Sequence, residues 1–195
     1  MTANSNPIYV IGSINTDMVA MTEVLPSPGE TVMGGEFMMT AGGKGANQAV
    51  AAARMGGDVT MIGRLGNDVF ADQSIKRLIS ENINCEFITK DTEKASGVAL
   101  ISVDKNGENH IVVAPGANAT LSKERLKAVF KQMPDNAIVM MQLEIPLESV
   151  ASVIEFCKKS NIKIILDPAP AKILTPEFTK SLYMITPNET EASAL

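Results

Sequence analysis

The chain has 195 residues, of which 45% are hydrophobic and 20% are charged, and its formal net charge at pH 7 is -5. This composition is that of an ordinary globular protein with enough apolar material for a sizeable core, and it excludes the disordered and fibrous classes. The acidic balance, without a stripe of Lys and Arg interleaved with aromatic residues, argues against a nucleic-acid partner.

The N-terminal sequence MTANSNP lacks the basic-then-apolar pattern of a secretory signal, and no apolar run approaches the length of a membrane span. We therefore expect a cytoplasmic protein without a membrane partner. Cys85 and Cys157 lie far apart, with no neighbouring Cys or His to complete a metal set. We expect two buried thiols, because two cysteines make no disulfide framework.

Apolar runs of strand length alternate with segments of helical period, and this alternation predicts an α/β protein with parallel strands joined by crossovers. The elements predicted in the first part of the chain are a strand over 8–13, a turn over 25–31, a helix over 46–55 that ends at Gly56 and Gly57, a strand over 59–63, and a helix over 69–81 with Ile75, Leu78 and Ile79 on one side.

A hairpin is predicted next, because the Asn106-Gly107 pair separates two β-rich runs over 98–103 and 110–115. We expect this antiparallel insert to form a lid. The second half resumes the alternation with a helix over 122–132, a strand over 137–143, a helix over 147–159, a strand over 162–167, a short helix over 176–181, a strand over 183–186 and a helix start over 187–195. A helix start without a following strand is typical of an incomplete domain.

The sequence GGKG over 42–45 precedes the alanine-rich helix and invites two nucleotide-loop interpretations. A Walker A loop would need glycine at Met38 and Ser or Thr at Gly45, and the dinucleotide fingerprint would need glycine at Gln48, so the spacing excludes both. Unblocked N–H groups at a helix N-terminus, together with the Lys44 ammonium, favour an anionic or oxygen-rich ligand. A permissive turn into a helix is an equally good interpretation.

Polar residues follow several of the predicted strands. Asn15 and Asp17 come just past the first strand, and extended backbone would place both on one face, although a turn or cap is the alternative. Glu144 ends a later strand, where a carboxylate is costly to bury without a polar partner. Asn188 and Glu191 form an N-x-x-E pattern, for which a capping box is the simpler interpretation.

Two further polar residues remain ambiguous or unsupported as site residues. Asp167 precedes Pro168 and is ambiguous in the same way as Asn188 and Glu191, between a local structural role and a role in a site. His110 is the single histidine and lies in the predicted hairpin, with no Ser or Cys nucleophile placed beside it. A catalytic triad is therefore unsupported.

Placed in order, eight segments resemble the ribokinase branch of the PfkB carbohydrate kinase family. They are GSINTD (12–17), LPSPGET (25–31), GGKGANQAVAAAR (42–54), GND (66–68), GANATLS (116–122), QLEIP (142–146), DPAPA (167–171) and TPNETEA (186–192). The resemblance implies a Rossmann-like, mainly parallel sheet flanked by helices, with a small antiparallel β lid. It implies one incomplete domain over 1–195, with its lid at about 14–41 and 96–115.

The resemblance also implies site residues. Those that it assigns to the sugar are Asn15, Thr16, Asp17, Gly43, Lys44, Gly45, Ala46, Asn47 and Glu144, with Ala99, Ile101 and Val113 as lid positions. It assigns Asn188 to nucleotide phosphate and Glu191 to the magnesium-water network. Ala71 departs from the family, which often has Gly there, and we expect this to alter only a turn or packing.

The function implied by the resemblance is ATP-dependent phosphorylation of D-ribose at O5, with Mg²⁺, a monovalent cation such as K⁺, and a homodimer formed through the lid. The alternatives are a related sugar or nucleoside kinase and a non-catalytic sugar-binding fragment. The family's D-T-x-G-A-G-D segment, which carries the catalytic base, is not found in these 195 residues. We therefore expect the base beyond Leu195 and no turnover by this chain alone.

Overall fold

The computed structural model describes residues 6–194. Its strands are β1 (Ile8–Ile11), β2 (Asn15–Met21), β3 (Phe37–Gly42), β4 (Val59–Gly66), β5 (Ile88–Asp91), β6 (Gly97–Val103), β7 (Asn109–Ala114), β8 (Ile138–Met141), β9 (Lys163–Leu166) and β10 (Met184–Ile185). Its helices are α1 (Lys44–Arg54), α2 (Val69–Ser80), α3 (Lys123–Phe130), α4 (Leu147–Ser160), α5 (Pro176–Thr179) and α6 (Glu189–Ala194), with a 3-10 helix over Gly116–Thr120. The predicted helices and strands are confirmed in their order, with bounds that differ by a few residues, whereas β2, β3, β5 and the 3-10 helix are absent from the prediction.

The larger sheet has six parallel strands in the order β10-β9-β8-β1-β4-β5. Its side chains alternate between two halves of the core. Tyr9 and Ile11 of β1 pack with apolar residues of α3 and α4, whereas Val10 packs with those of α1 and α2. Helices therefore cover both faces, which explains why these strands are near-continuous apolar runs in the sequence.

The second sheet has four strands in the order β3-β2-β6-β7. Strands β6 and β7 are antiparallel and are joined by a turn with Gly107 at φ 86°, as the hairpin pattern predicts. Strand β2 pairs antiparallel with β3 but parallel with β6. This sheet is therefore mixed rather than purely antiparallel, because the long connection from β2 to β6 lets the two strands run side by side in one direction.

One helix face differs from its prediction. The buried positions of α2 are Ala71, Ser74 and Leu78, and Ile75 packs beside them, but Ile79 is 57% exposed. Ile79 is wrongly predicted because the buried stripe follows the i, i+3, i+4, i+7 spacing from Ala71, and Ile79 lies one residue beyond it.

The two cysteines also differ from each other. Cys157 is buried, and burial raises the pKa of its thiol to about 12. Cys85 is only half-buried, which corrects the expectation of two buried thiols, and burial still raises its pKa. Its side chain packs against the edge of the core. Among residues 6–194, no helix combines the length and the apolar content that crossing a bilayer requires.

Candidate functional site

Three polar residues meet at the carboxyl edge of the larger sheet. Strands β1, β8 and β9 are neighbours in parallel register, with Ile11 opposite Met141 and Met141 opposite Leu166. Ser13 follows β1, Glu144 follows β8 and Asp167 follows β9 directly. The carboxyl edge is where open parallel sheets gather ligand-binding groups, so this is the candidate site.

The glycine-rich loop lies against this edge because two of its glycines permit a close backbone approach. A Cβ atom on Gly43, whose φ is +89°, would lie 2.7 Å from the backbone nitrogen of Asn15. A Cβ atom on Gly45 would lie 2.6 Å from the backbone nitrogen of Ser13. The loop therefore lets α1 begin at Lys44, two residues earlier than predicted, against the end of β1.

The first N–H groups of α1 are already satisfied by the protein. The Lys44 amide donates to Glu144 Oε2 at 3.1 Å, the Gly45 amide donates to Ser13 Oγ at 3.3 Å, and the Ala46 amide donates to the Ser13 carbonyl at 2.9 Å. Ser13 Oγ also donates to Glu144 Oε2. The free helix amides expected from sequence are therefore occupied, and Glu144 has the polar partners that its position requires.

Asn15 and Asp17 share one face of β2, as their spacing predicts. Asn15 is 4% exposed, and its Oδ1 accepts from the side chain of Asn118 at 2.8 Å. Asp17 lies beside Gly42, where a Cβ atom would come within 2.1 Å of the carboxylate. Burial and then the charge of Glu144 raise the pKa of Asp17. No hydrogen bond from another residue in the described range 6–194 reaches the Asp17 carboxylate.

Asp167 brings a third carboxylate to the cluster. Its Oδ2 accepts from Gln48 Nε2 at 3.3 Å. Burial raises the pKa of Asp167, the charge of Lys44 opposes that effect, and the charges of Glu191 and Glu144 add to it. The Lys44 ammonium is thus close enough to Asp167 to favour the ionised form of its carboxyl group.

A glutamine pair lies beneath the cluster. Gln142 Nε2 donates to Gln48 Oε1 at 2.5 Å, which leaves Gln48 Nε2 to reach Asp167. Gln142 Oε1 is buried against Gly12 and has no hydrogen-bond partner within the described chain. Sequence reasoning did not single out Ser13, Gln48 or Gln142 as site residues. A small or amide side chain directly after a buried strand is the signal that could have found Ser13 and Gln142.

The predicted lid residues line up with Asp17. In the register of the second sheet, Asp17 is opposite Ala99, and Ala99 is opposite Val113, so the three side chains share one face. Ile101 is two residues further along β6, opposite Val19. This face of the sheet therefore continues from the polar cluster into an apolar surface.

Three other predicted residues lie outside the polar cluster. The Thr16 side chain is on the opposite face of β2 from Asn15 and Asp17, because side chains alternate along a strand. Ala46 is buried in the core with other residues of α1. Asn47 is exposed at a cleft of about 170 Å³ that Asn15 and Gly42 also line, whereas Glu144 and Asp167 do not line it.

Asn188 and Glu191 form the capping box that their spacing predicts. The Glu191 amide donates to Asn188 Oδ1 at 2.8 Å, and the Asn188 amide donates to Glu191 Oε2 at 2.9 Å. Within residues 6–194, no group of three His, Cys, Asp or Glu side chains is arranged to hold a metal ion. His110 lies on the exposed strand β7, opposite Ser102.

Two buried networks hold the parts that surround the site. Asp68 accepts from the backbone and side chain of Ser96, both at 2.7 Å, and from the Ala71 amide at 3.0 Å, so it joins α2 to the start of β6. Ala71 is fully buried there, which agrees with a packing role. The ion pair of Arg64 and Asp91 joins β4 to β5.

Known proteins resemble the chain over almost all of its length. A family model described as pfkB family carbohydrate kinase matches residues 5–195. A ribokinase of Haemophilus influenzae is 41% identical over 188 residues, which are 96% of this chain and 61% of the relative. A deoxyribokinase of Salmonella typhi is 40% identical over 189 residues, which are 96% of this chain and 62% of the relative.

The structure of Arabidopsis thaliana ribokinase complexed with ribose and ATP superposes with a TM-score of 0.84 at 31% identity. That match covers 98% of this chain and 62% of the Arabidopsis chain. The chain thus spans a little over three-fifths of the length of the relatives it matches.

Proposed function

This chain belongs to the pfkB family of carbohydrate kinases, and on that premise we propose that the whole protein is a ribokinase, which uses ATP to phosphorylate D-ribose at O5. The observation that carries the proposal is the excess of hydrogen-bond acceptors at the carboxyl edge of the larger sheet. Asp17 and Asp167 both lie near Glu144 there, and the Lys44 ammonium lies near Asp167.

A pentose fits this site because it presents many hydroxyl groups and little apolar surface. Each hydroxyl donates one hydrogen bond and accepts others, so it can meet a carboxylate on one side and an amide or ammonium on the other. We assign the sugar contacts to Asn15, Asp17, Lys44 and Glu144, with Gly43 and Gly45 holding the loop close. A site of this kind rejects an analogue that lacks a hydroxyl, since its own polar groups then go unpaired.

We place the nucleotide and its magnesium ion beside Asn188 and Glu191. The capping box uses one oxygen of each side chain, and the described residues form no further hydrogen bond with the Asn188 amide group or Glu191 Oε1. Magnesium commonly keeps several waters and takes only one or two carboxylates, so a single carboxylate suits it. MgATP supplies the phosphoryl group. A monovalent cation such as K⁺ remains part of the proposal for the whole protein.

The contribution of this chain to the reaction is to hold the acceptor. Holding the sugar hydroxyl in line with the incoming phosphoryl group converts a bimolecular reaction step into an effectively unimolecular one. The second sheet, through Ala99, Ile101 and Val113, would exclude water that competes for the phosphoryl group. We assign no catalytic base to residues 6–194, and we propose that residues 1–195 alone bind sugar without turnover.

The test is a coupled assay of the whole protein with ATP and a panel of acceptors: D-ribose, 2-deoxy-D-ribose, fructose, fructose 6-phosphate and adenosine. The proposal expects the highest kcat/KM for D-ribose. A higher kcat/KM for fructose, fructose 6-phosphate or adenosine would reject ribokinase in favour of a related sugar or nucleoside kinase.

Deoxyribokinase is the second candidate, because the deoxyribokinase relative is 40% identical and the ribokinase relative is 41% identical. The ratio of kcat/KM for ribose to that for deoxyribose separates the two. Sugar binding in calorimetry without turnover by the whole protein would instead support a non-catalytic sugar-binding protein.

We also propose a homodimer formed through the second sheet. One row of side chains, Met39, Met18, Leu100 and Val112, crosses all four strands on the face opposite Asp17. Met39, Leu100 and Val112 are exposed, which favours association with a second apolar surface. Light scattering of the whole protein should give twice the chain mass, and Leu100→Lys should give the monomer mass. A monomeric wild type would reject this part of the proposal.

A kinase needs ATP, so the cytoplasm is the location that we propose. Cell fractionation tests this directly. Recovery of the protein with the cytoplasmic fraction would support it, and recovery from the membrane or the medium would reject it.

A further inference from the structure

The side chain of Asn118 bonds directly to the candidate site, although the 3-10 helix that carries it lies about a hundred residues along the chain from β2. Asn118 is 1% exposed. Its Oδ1 accepts from the Ile14 amide at 2.9 Å, and its Nδ2 donates to Asn15 Oδ1 at 2.8 Å. The same Nδ2 lies 3.2 Å from the Ile14 carbonyl and 3.1 Å from the Pro115 carbonyl.

We propose that Asn118 is a positioning residue that fixes the side-chain amide of Asn15, so that Asn15 presents its Nδ2 group to the sugar. The inference rests on the proposed function, because it concerns the recognition of a sugar hydroxyl at that site. It adds to the site a residue that contacts the ligand only through another side chain.

The orientation follows from a backbone group that can act only as a donor. The Ile14 amide must donate, so the Asn118 atom that faces it is the oxygen, and the Asn118 nitrogen faces Asn15. Asn15 must then turn its acceptor, Oδ1, towards Asn118. The remaining group, Asn15 Nδ2, is left as a donor for the ligand.

Two glycines leave room for this arrangement. The register partners of Asn15 are Gly97 on β6 and Gly42 on β3. A Cβ atom on Gly97 would lie 2.3 Å from both Asn118 Nδ2 and Asn15 Oδ1, so any larger residue would separate the pair. A Cβ atom on Gly42 would lie 2.1 Å from an oxygen of Asp17. Each glycine therefore makes space for one polar side chain.

The result is a donor and an acceptor two residues apart on one face of β2. A hydroxyl group fits both, because it accepts from Asn15 Nδ2 and donates to the Asp17 carboxylate. A hydrogen atom in place of that hydroxyl satisfies neither group. Asn118 thereby determines, through Asn15, how strongly the site distinguishes a sugar from its deoxy analogue.

Asn118→Asp tests this with a side chain of nearly the same shape. The carboxylate still accepts from the Ile14 amide, but it turns an oxygen towards Asn15, which must flip its amide and present an oxygen to the sugar. Calorimetry of the whole protein should compare D-ribose with its three monodeoxy analogues at positions 1, 2 and 3. The quantity to compare is the ratio of the affinity for D-ribose to the affinity for the analogue that the wild type rejects most. This ratio should fall about 10-fold in Asn118→Asp, which is the effect of losing one good hydrogen bond.

Two further variants separate positioning from a general structural role. In an Asn15→Ala background, Asn118→Asp should change ribose affinity less than about 2-fold, because its effect passes through Asn15. Gly97→Ala should reduce the ratio by a similar factor, because its methyl group separates Asn118 from Asn15 without altering any polar group. It replaces Asn118→Asp in this test if that variant does not fold. Val153→Ala is the control, since it loosens the core beneath α4, away from Asn15, and should leave the ratio unchanged. Equal losses for ribose and all its analogues, or an undiminished effect in the Asn15→Ala background, would overturn the inference.

A ligand-free readout keeps this test distinct from that of the proposed function. In a ¹⁵N-labelled protein, the side-chain amide protons of Asn15 should exchange more slowly in Asn118→Asp than in the wild type, because they become hydrogen-bonded to the new carboxylate. If no ribose analogue binds the wild type, the proposed function fails, while slower exchange still supports the positioning role. An unchanged exchange rate of those Asn15 protons would overturn the positioning role of Asn118.

Discussion

Two carboxylates of this molecule, Asp91 and Asp17, have opposite surroundings. Asp91 receives five donor atoms, namely Arg64 Nε and Nη2, Thr120 Oγ1, and the amides of Glu93 and Lys94. Asp17 receives no hydrogen bond from the other residues in the described part of the chain, and it faces Glu144. Thr120 and the two amides, with Arg64, hold the pKa of Asp91 well below its usual range, whereas burial and Glu144 raise that of Asp17.

The difference separates a structural carboxylate from one reserved for a ligand. A charge whose lone pairs are all met inside the protein contributes to folding, provided that its partners stay in place. A half-buried charge with too few donors destabilises the free protein. It persists only where a ligand supplies the missing donors, and sugar hydroxyls are donors of this kind.

The largest expected effect comes from breaking the satisfied network. Arg64→Met leaves Asp91 buried without its cation, and we expect a loss of about 3–5 kcal/mol in the free energy of unfolding. Denaturant titration of the whole protein measures it. The exposed Arg77→Met is the matched control and should stay within about 0.5 kcal/mol of wild type. Similar losses for both variants would show that the Arg64 network has no special role.

The next effect concerns the unsatisfied carboxylate. Asp17→Asn removes a charged acceptor from the sugar, so ribose affinity should fall about 10- to 100-fold in calorimetry. Asp72→Asn, which removes an exposed carboxylate on α2, should leave the affinity unchanged. Retention of wild-type affinity by Asp17→Asn would place the sugar elsewhere.

The pH dependence of ribose binding should distinguish Asp17 from a carboxylate with an ordinary pKa. The pKa of Asp17 is raised above its ordinary value of 3.8, so its carboxylate takes up a proton while ordinary Asp residues are still ionised. A protonated Asp17 loses its negative charge and accepts only weakly through its carbonyl oxygen, so ribose affinity should decline as the pH falls towards about 4. In Asp17→Asn this decline should become shallower, and Asp167, whose pKa is also raised, accounts for the part that remains. Equal slopes in calorimetry would argue against Asp17 as the titrating group.

The smallest effect is expected at the capping box, where the side chains of Asn188 and Glu191 already form hydrogen bonds with backbone amides at the start of α6. Asn188→Ala should free the Glu191 amide and cost the helix about 1 kcal/mol locally. Hydrogen exchange at Glu191 measures this as about 5-fold faster exchange, with little change in global stability. If the KM for ATP rises in the same variant, Asn188 also serves the nucleotide, as we propose.

The order of the helices and of most strands was predictable because apolar periodicity and turn residues are local signals. Strands β2, β3 and β5 were not predicted, because partly or mostly exposed strands lack a buried apolar run. The sequence also predicted that Asn15 and Asp17 share a face, and that Asn188 and Glu191 cap a helix, since both follow from spacing alone. The exposure of Ile79 and the half-buried state of Cys85 depend on which neighbours pack against them, which spacing does not encode.

The candidate site was predictable only in part. Each carboxylate could be placed at a strand end, but the partner of Glu144 comes from the connection after β1, and the partner of Asn15 lies 103 residues away. Occupation of the first α1 amides by Ser13 and Glu144 is a tertiary arrangement as well. Long-range hydrogen bonds of this kind decide which polar groups remain for a ligand, and no single-sequence pattern reports them.

The contrast between Asp17 as a ligand-binding carboxylate and Asp91 as a structural one is tested most directly by thermal unfolding. The measurement uses the sugar-free protein in two isosteric variants, Asp17→Asn and Asp91→Asn. A carboxyl group with a raised pKa destabilises the fold above that pKa, and one with a lowered pKa stabilises it there. At neutral pH, Asp17→Asn should therefore raise the unfolding midpoint and Asp91→Asn should lower it. A midpoint lowered as much by Asp17→Asn as by Asp91→Asn would contradict the account, because Asp17 would then be a structural residue.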